Sequence, residues 1–128
     1  MAIEKGERLQ ILALVDRLIK DKVAPEAAII DAEDKFPSAL YAETAKQGLL
    51  GLWIPEEYGG TGPDLITPLI VSERFARVSC AFALIYSNCG DAVNAIVNAA
   101  GDHLKREWLP KIVSGEVIPC FSLSEPGA

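Results

Sequence analysis

Histidine is nearly missing from this chain. Among 128 residues there is one, His103. A metal centre or a Ser-His-Asp relay would have to be built around that single imidazole. Its neighbours Asp102, Lys105, Arg106 and Glu107 read as a solvated helix face, so His103 is expected at the surface and no metal site is expected. Cysteine is scarce as well. Cys80, Cys89 and Cys120 are odd in number and show no Cys-x-x-Cys spacing, which supports neither a disulfide framework nor a zinc site and suits a reducing cytoplasm. Positive charge is short: twelve Lys and Arg against eighteen Asp and Glu leave a net charge of −6. That argues against a nucleic-acid partner and an anionic membrane surface, both of which need basic patches. No unbroken apolar run approaches the ~20 residues that span a bilayer, so no membrane insertion is expected. The opening Met1-Ala-Ile-Glu-Lys-Gly-Glu has the pattern of neither a secretory signal nor an Arg-rich transit peptide.

What is present is helix. Half of the residues are apolar, enough for one domain with a real core. From Arg8 to Val23 the residues Ile11, Leu12, Leu14, Val15, Leu18 and Ile19 fill one arc at ~100° per residue. Pro25 then kinks this helix or opens the next, which continues from Glu26 to Lys35. Phe36-Pro37 breaks the run, Ser38 is the expected N-cap of a helix to Gln47, and Gly48 stops it. Leu49–Ile54 is ambiguous, and 55–63 is a glycine-rich loop. Thr67-Pro68 starts a helix to about Arg77, with Leu69, Val71 and Phe75 as buried candidates. Cys80–Ala100 is alanine-rich with few polar residues, and Gly90 is expected to divide it. Asp102 caps a last helix over 103–112, which turns Leu104, Trp108 and Leu109 inward. The fold class is all-α: five to seven helices in a bundle-like domain over residues 1–116, followed by one orphan β-strand over 117–128.

Most catalytic templates fail on the residues themselves. Tyr58-Gly-Gly-Thr-Gly62 lacks the Lys-Ser/Thr of a phosphate loop and the spacing of a dinucleotide loop, so its glycines read as turn formers. Glu56 and Glu57 are adjacent and do not face one another; Asp31, Glu33 and Asp34 read as an exposed acidic face. In the alanine-rich stretch, Leu84, Ile85 and Asn88 fall on one face at i, i+1, i+4. Small residues around them allow either close helix packing or room for a ligand. At the end of the chain, alternation puts Phe121 and Leu123 on one side and Ser122 and Ser124 on the other. A strand running into Glu125-Pro126-Gly127 presents backbone donors and hydroxyls suited to the polar edge of a planar ligand, or it is a plain strand-to-turn connection.

Phe36-Pro37, the run from Gly48 through Ile54-Pro-Glu-Glu-Tyr58 to Gly62, Trp108-Leu-Pro-Lys-Ile-Val-Ser-Gly-Glu116 and the tail Phe121-Ser-Leu-Ser-Glu-Pro-Gly-Ala128 occur in order. Together they resemble the acyl-CoA dehydrogenase family. The resemblance implies the N-terminal helical domain of a three-domain flavoenzyme that binds FAD. Such an enzyme takes a proton from the acyl α-carbon and a hydride from the β-carbon, and leaves an enoyl-CoA. It also implies electron-transfer flavoprotein as acceptor, a homo-oligomer (tetramer or dimer), and the bacterial cytoplasm, or the mitochondrial matrix if a presequence was removed. Ser124 matches the position whose hydroxyl lies near flavin N5, Leu123 the backbone group at the pyrimidine edge, and Phe121 an aromatic near the ring. Leu84, Ile85 and Asn88 match the wall of the acyl pocket. The Gly-Ser-Asp that usually follows the tail is absent, and the catalytic glutamate belongs to a domain beyond these residues; neither Glu56, Glu57 nor Glu125 is given its role. The resemblance therefore implies a fragment with no catalytic residue, inactive alone and not expected to hold FAD. A non-catalytic helical interaction module, and a flavin monooxygenase or nitroalkane oxidase of the same superfamily, stay open as alternatives.

Overall fold

The computed structural model describes residues 3–62 and 64–127; Met1, Ala2, Pro63 and Ala128 lie outside them, and with them one end of the glycine-rich loop and the last residue of the tail. Six α-helices carry the fold: α1 Lys5–Leu18, α2 Ala24–Glu33, α3 Ser38–Lys46, α4 Ile66–Ala76, α5 Cys80–Ala99 and α6 Asp102–Val113. Two short 3-10 turns, Leu49–Trp53 and Glu56–Tyr58, lie between α3 and α4.

Pro25 opens the next helix, standing in the first turn of α2. It has no N–H to return to Asp21 and its ring crowds that carbonyl. A wide π-turn over Ile19–Val23 takes up the mismatch and passes α1 into α2.

Helix starts differ from the expected caps in instructive ways. Ser38 and Asp102 are the first helical residues, preceded by Pro37 and Gly101 at the cap positions. At α4 the cap position is Leu65, and one residue before it Asp64 Oδ1 accepts the Ile66 N–H at 3.0 Å. Thr67 instead turns its hydroxyl into the same carboxylate. Ser79 caps α5 by accepting the Phe82 N–H at 3.2 Å.

Gly90 does not divide α5, which runs unbroken for 20 residues. Its glycine is a packing device: a Cβ there would sit 2.7 Å from Cδ2 and Cε2 of Trp53. α5 is also the one described helix long and apolar enough to cross a bilayer, a match that counting unbroken apolar runs passes over. Here its buried side, with Phe82, Tyr86, Cys89 and Val93, is spent on the protein core.

The core centres on α4 and α5, joined across 77–79. Phe75 meets Phe82 edge-on at 5.0 Å and Tyr86 at 5.4 Å, and Tyr86 meets Trp53 at 5.7 Å. Tyr86 donates its buried O–H to the Leu49 carbonyl at 3.0 Å, which ties α5 to the first 3-10 turn. Leu12, Val15 and Leu18 of α1 bury against this body.

Two arginine clasps hold α1 to α4. Arg8 reaches Asp64 Oδ2 at 3.0 Å and donates to Thr67 Oγ1 at 2.9 Å. Arg74 pairs with Asp16 and donates to the Leu12 carbonyl at 3.1 Å.

Three apolar residues expected inside are outside: Leu69, Leu104 and Trp108 are well exposed, while Val71, Phe75, Leu109 and Ile112 fill the core. The strand expected over 117–128 is not formed among the described residues. A strand exists through its ladder, and no neighbouring segment offers one. The last main-chain bond of the body runs from Val117 N–H to Lys111 O at 3.2 Å.

Candidate functional site

The tail leaves α6 through Gly115, whose φ of +75° makes the turn that follows the helix. Val117 and Pro119 lead it back across α5 and α6. Between tail and helices lies a hollow of about 320 Å³, lined by Ala92, Ala95 and Ile96 of α5, Trp108 and Ile112 of α6, and Pro119, Cys120 and Phe121 of the tail. Its lining is predominantly apolar. Alanines at 92 and 95 keep it open, since larger side chains there would fill it. Lys111 stands over the Trp108 ring at 4.9 Å and leaves the hollow uncharged within.

Among the described residues, 118–127 make no hydrogen bond from main chain to main chain; the Ile118 carbonyl accepts only from the Cys120 thiol, at 4.0 Å. The hydroxyls of Ser122 and Ser124 have no partner there either, and Phe121 and Leu123 are exposed. This stretch thus carries a row of free donors and acceptors next to an apolar hollow. Such groups bind a partner or remain hydrated.

Of the six site residues expected from sequence, Phe121 alone lines the hollow. Leu123 and Ser124 follow it directly on the same exposed segment. Leu84 and Asn88 share the exposed side of α5, two turns and one turn before Ala92 respectively, so the helix face leads toward the hollow. Ile85 turns the other way and packs on the core. Ala92, Ala95 and Ile96 are not among the residues the sequence singles out, and Trp108 is expected there as core rather than as the wall of a hollow. The i, i+4, i+8 spacing of Leu84, Asn88 and Ala92 was the available signal.

One turn before Ala92, Cys89 is buried and receives a hydrogen bond from the Tyr41 hydroxyl at 3.8 Å. Burial pushes the Cys89 thiol up to about 11, only partly offset by that hydrogen bond. Burial, and then Cys89 itself, raises the Tyr41 hydroxyl too. Both groups are neutral at physiological pH and have no nucleophilic role. No cluster of three or more His, Cys, Asp or Glu able to hold a metal ion occurs among the described residues.

A flavin ring needs donors along one polar edge and apolar surface beside it, and the open main-chain groups at Leu123, the hydroxyl of Ser124 and the exposed ring of Phe121 are groups of those kinds.

Comparison with known proteins gives a consistent set of likenesses. The family model described as "Acyl-CoA dehydrogenase, N-terminal domain" matches residues 5–116. An acyl-CoA dehydrogenase of Bacillus subtilis is 30% identical over 94% of this chain and 32% of its own length. The human mitochondrial short-chain specific acyl-CoA dehydrogenase is 34% identical over 98% of this chain and 31% of its own. The crystal structure of an acyl-CoA dehydrogenase complexed with FAD from Bacillus anthracis superposes with a TM-score of 0.85 at 30% identity, covering 98% of this chain and 22% of that one. The chain spans about a third of the length of the first two relatives.

Proposed function

Because the chain belongs to the acyl-CoA dehydrogenase family, as an N-terminal domain of that family, we propose that it serves an FAD-dependent oxidation of an acyl-CoA thioester to the enoyl-CoA. The observation that carries this reading is the tail. An unpaired row of main-chain groups and hydroxyls at 121–124 lies at the mouth of an apolar hollow on α5.

In this reading Leu123 offers its main chain and Ser124 its hydroxyl to the flavin ring, and Phe121 packs beside it. When bound, FAD supplies the hydride acceptor. The donors at 123 and 124 favour negative charge on the ring they hold, which is the direction hydride transfer requires. Leu84 and Asn88, with Ala92 a turn further on, form the side of α5 that a fatty tail would follow. Ile85 acts from behind by fixing the helix in the core. No residue of this chain is proposed as the base that removes the α-proton. Glu56 and Glu57 are exposed on the second 3-10 turn, and Glu125 is exposed within the tail.

The division is into a helical unit, residues 1–116, and a segment, 117–128, that pairs with a sheet of the whole enzyme. That pairing would satisfy the main-chain groups left open here. Electron-transfer flavoprotein as acceptor and a homo-oligomeric enzyme complete the reading. The site of action would be the bacterial cytoplasm or the mitochondrial matrix; relatives come from bacteria and from mitochondria.

The test is a chimera in which these residues replace the corresponding third of the Bacillus subtilis relative. It is expected to bind flavin and oxidise acyl-CoA with an artificial electron acceptor. Ser124→Ala should slow flavin reduction by about tenfold or more. The chain alone should show no flavin absorbance. Stoichiometric, tight FAD binding by the chain alone, or a chimera indifferent to Ser124→Ala, would refute the assignment.

A further inference from the structure

A second cavity, of about 260 Å³, opens on the side of α5 where Gly90 packs on Trp53, and it shares no lining residue with the hollow at the tail. One wall is Trp53. Its ring is fixed by Gly90 behind it and Tyr86 beside it. Its indole N–H is shut off from solvent and has no hydrogen-bond partner among the described residues. Leu65 and Val97 give further apolar surface, and Leu65 is itself well exposed.

The rim is polar, and its groups are sorted. Asn98 donates to the Asn94 side-chain oxygen at 2.6 Å, which fixes the Asn94 amide with its NH₂ as the free end. Asp91, one turn earlier on the helix, makes no salt bridge or hydrogen bond within the described chain. The rim therefore offers an acceptor, the Asp91 carboxylate, beside a donor, the Asn94 amide. Below them lie apolar walls.

We propose that this cavity binds an aminopurine. Its exocyclic amino group donates to Asp91, the adjacent ring nitrogen accepts from Asn94, and the flat ring lies against Trp53, Leu65 and Val97. A planar base with a donor flanked by acceptors matches both the rim pattern and the apolar walls. A simple hydrocarbon would leave the carboxylate and amide unanswered. A dianionic phosphate ligand would be repelled by Asp91.

The probe is adenosine, titrated into the full chain carrying Trp108→Phe so that Trp53 is the sole indole. Its fluorescence should change saturably. Purine riboside, which lacks the amino donor, should bind at least tenfold more weakly. So should adenosine to Asp91→Ala or Asn94→Ala. In the unsubstituted chain, the Asn94 side-chain amide resonances should shift with adenosine, and shift far less with purine riboside at the same concentration. No saturable change, equal binding of the two nucleosides, or unchanged affinity in both variants would overturn the proposal. Because no flavin or acyl-CoA enters this assay, its failure would leave the reading of the tail untouched.

Discussion

Replacing Gly60 by alanine should be among the most damaging single-methyl changes in this protein. Gly60 does not have the positive φ that marks Gly59, so the reason is not backbone freedom. It is a crossing of two stretches of the chain, 59–62 over 51–54. A Cβ at 60 would lie 1.9 Å from the Ile54 carbonyl oxygen and 2.7 Å from that of Gly51. The clash is backbone on backbone, and no side chain can swing away. The loop must lift, and it is held down by Thr61 N–H to Gly51 O at 3.0 Å and Gly62 N–H to Ile54 O at 3.1 Å. Losing both bonds costs about 1 kcal/mol each, and stranding the partly buried carbonyls adds to that, so about 3 kcal/mol is expected. With a urea m-value of about 1.5 kcal/mol/M, the midpoint should fall by about 2 M. Gly59→Ala is the control. It faces open space at φ +89° and should cost only about 1–2 kcal/mol of left-handed strain. A Gly60→Ala protein within about 1 kcal/mol of the unsubstituted chain, or more stable than Gly59→Ala, would refute the reasoning.

Three other outcomes follow from the core and the clasps. Phe75→Ala removes a fully buried ring that touches Phe82 and Tyr86, and should cost about 3–5 kcal/mol by chemical denaturation. Burial alone would raise the Asp64 carboxyl, but hydrogen bonds from Thr67, Arg8 and Ile66 N–H and the Arg8 charge hold it below the ordinary range. A depressed carboxyl stabilises the fold above its unfolded pKa of about 3.9 and loses that contribution as pH falls through the lower folded value. Asp64→Ala should therefore cost about 3 kcal/mol at pH 7, with the gap to the unsubstituted chain narrowing in acid; a gap that widens would contradict the clasp. In the native chain a thiol reagent at mildly alkaline pH should label Cys80 and Cys120 rapidly, whereas Cys89 should react only after unfolding.

The helices were legible because their signal is periodic and local. Val15, Leu18, Phe75 and Leu109 all lie where the 3.6-residue pattern put them. Punctuation misled where its partner was distant in sequence. Gly90 looked like a break because nothing nearby in the chain announces Trp53, 37 residues earlier, lying against it. Thr67 looked like a cap because Asp64 and Arg8 together make its true setting. Leu69 and Trp108 fit an inward pattern and are exposed, since an apolar periodicity does not say which surfaces another part of a protein covers. The strand at 117 was readable as an apolar alternation, but a ladder needs two segments. The tail residues entered through family likeness; the hollow beside them became visible only when α5, α6 and the tail were seen together.

The central claim is that residues 121–124 form one edge of a flavin site. The most direct measurement is a crystal structure of the Bacillus subtilis chimera with FAD bound. The account predicts the Ser124 hydroxyl and the Leu123 main chain within hydrogen-bonding distance of the flavin ring, with Phe121 packed beside it. A flavin bound in that enzyme without contact from 121–124 would contradict it.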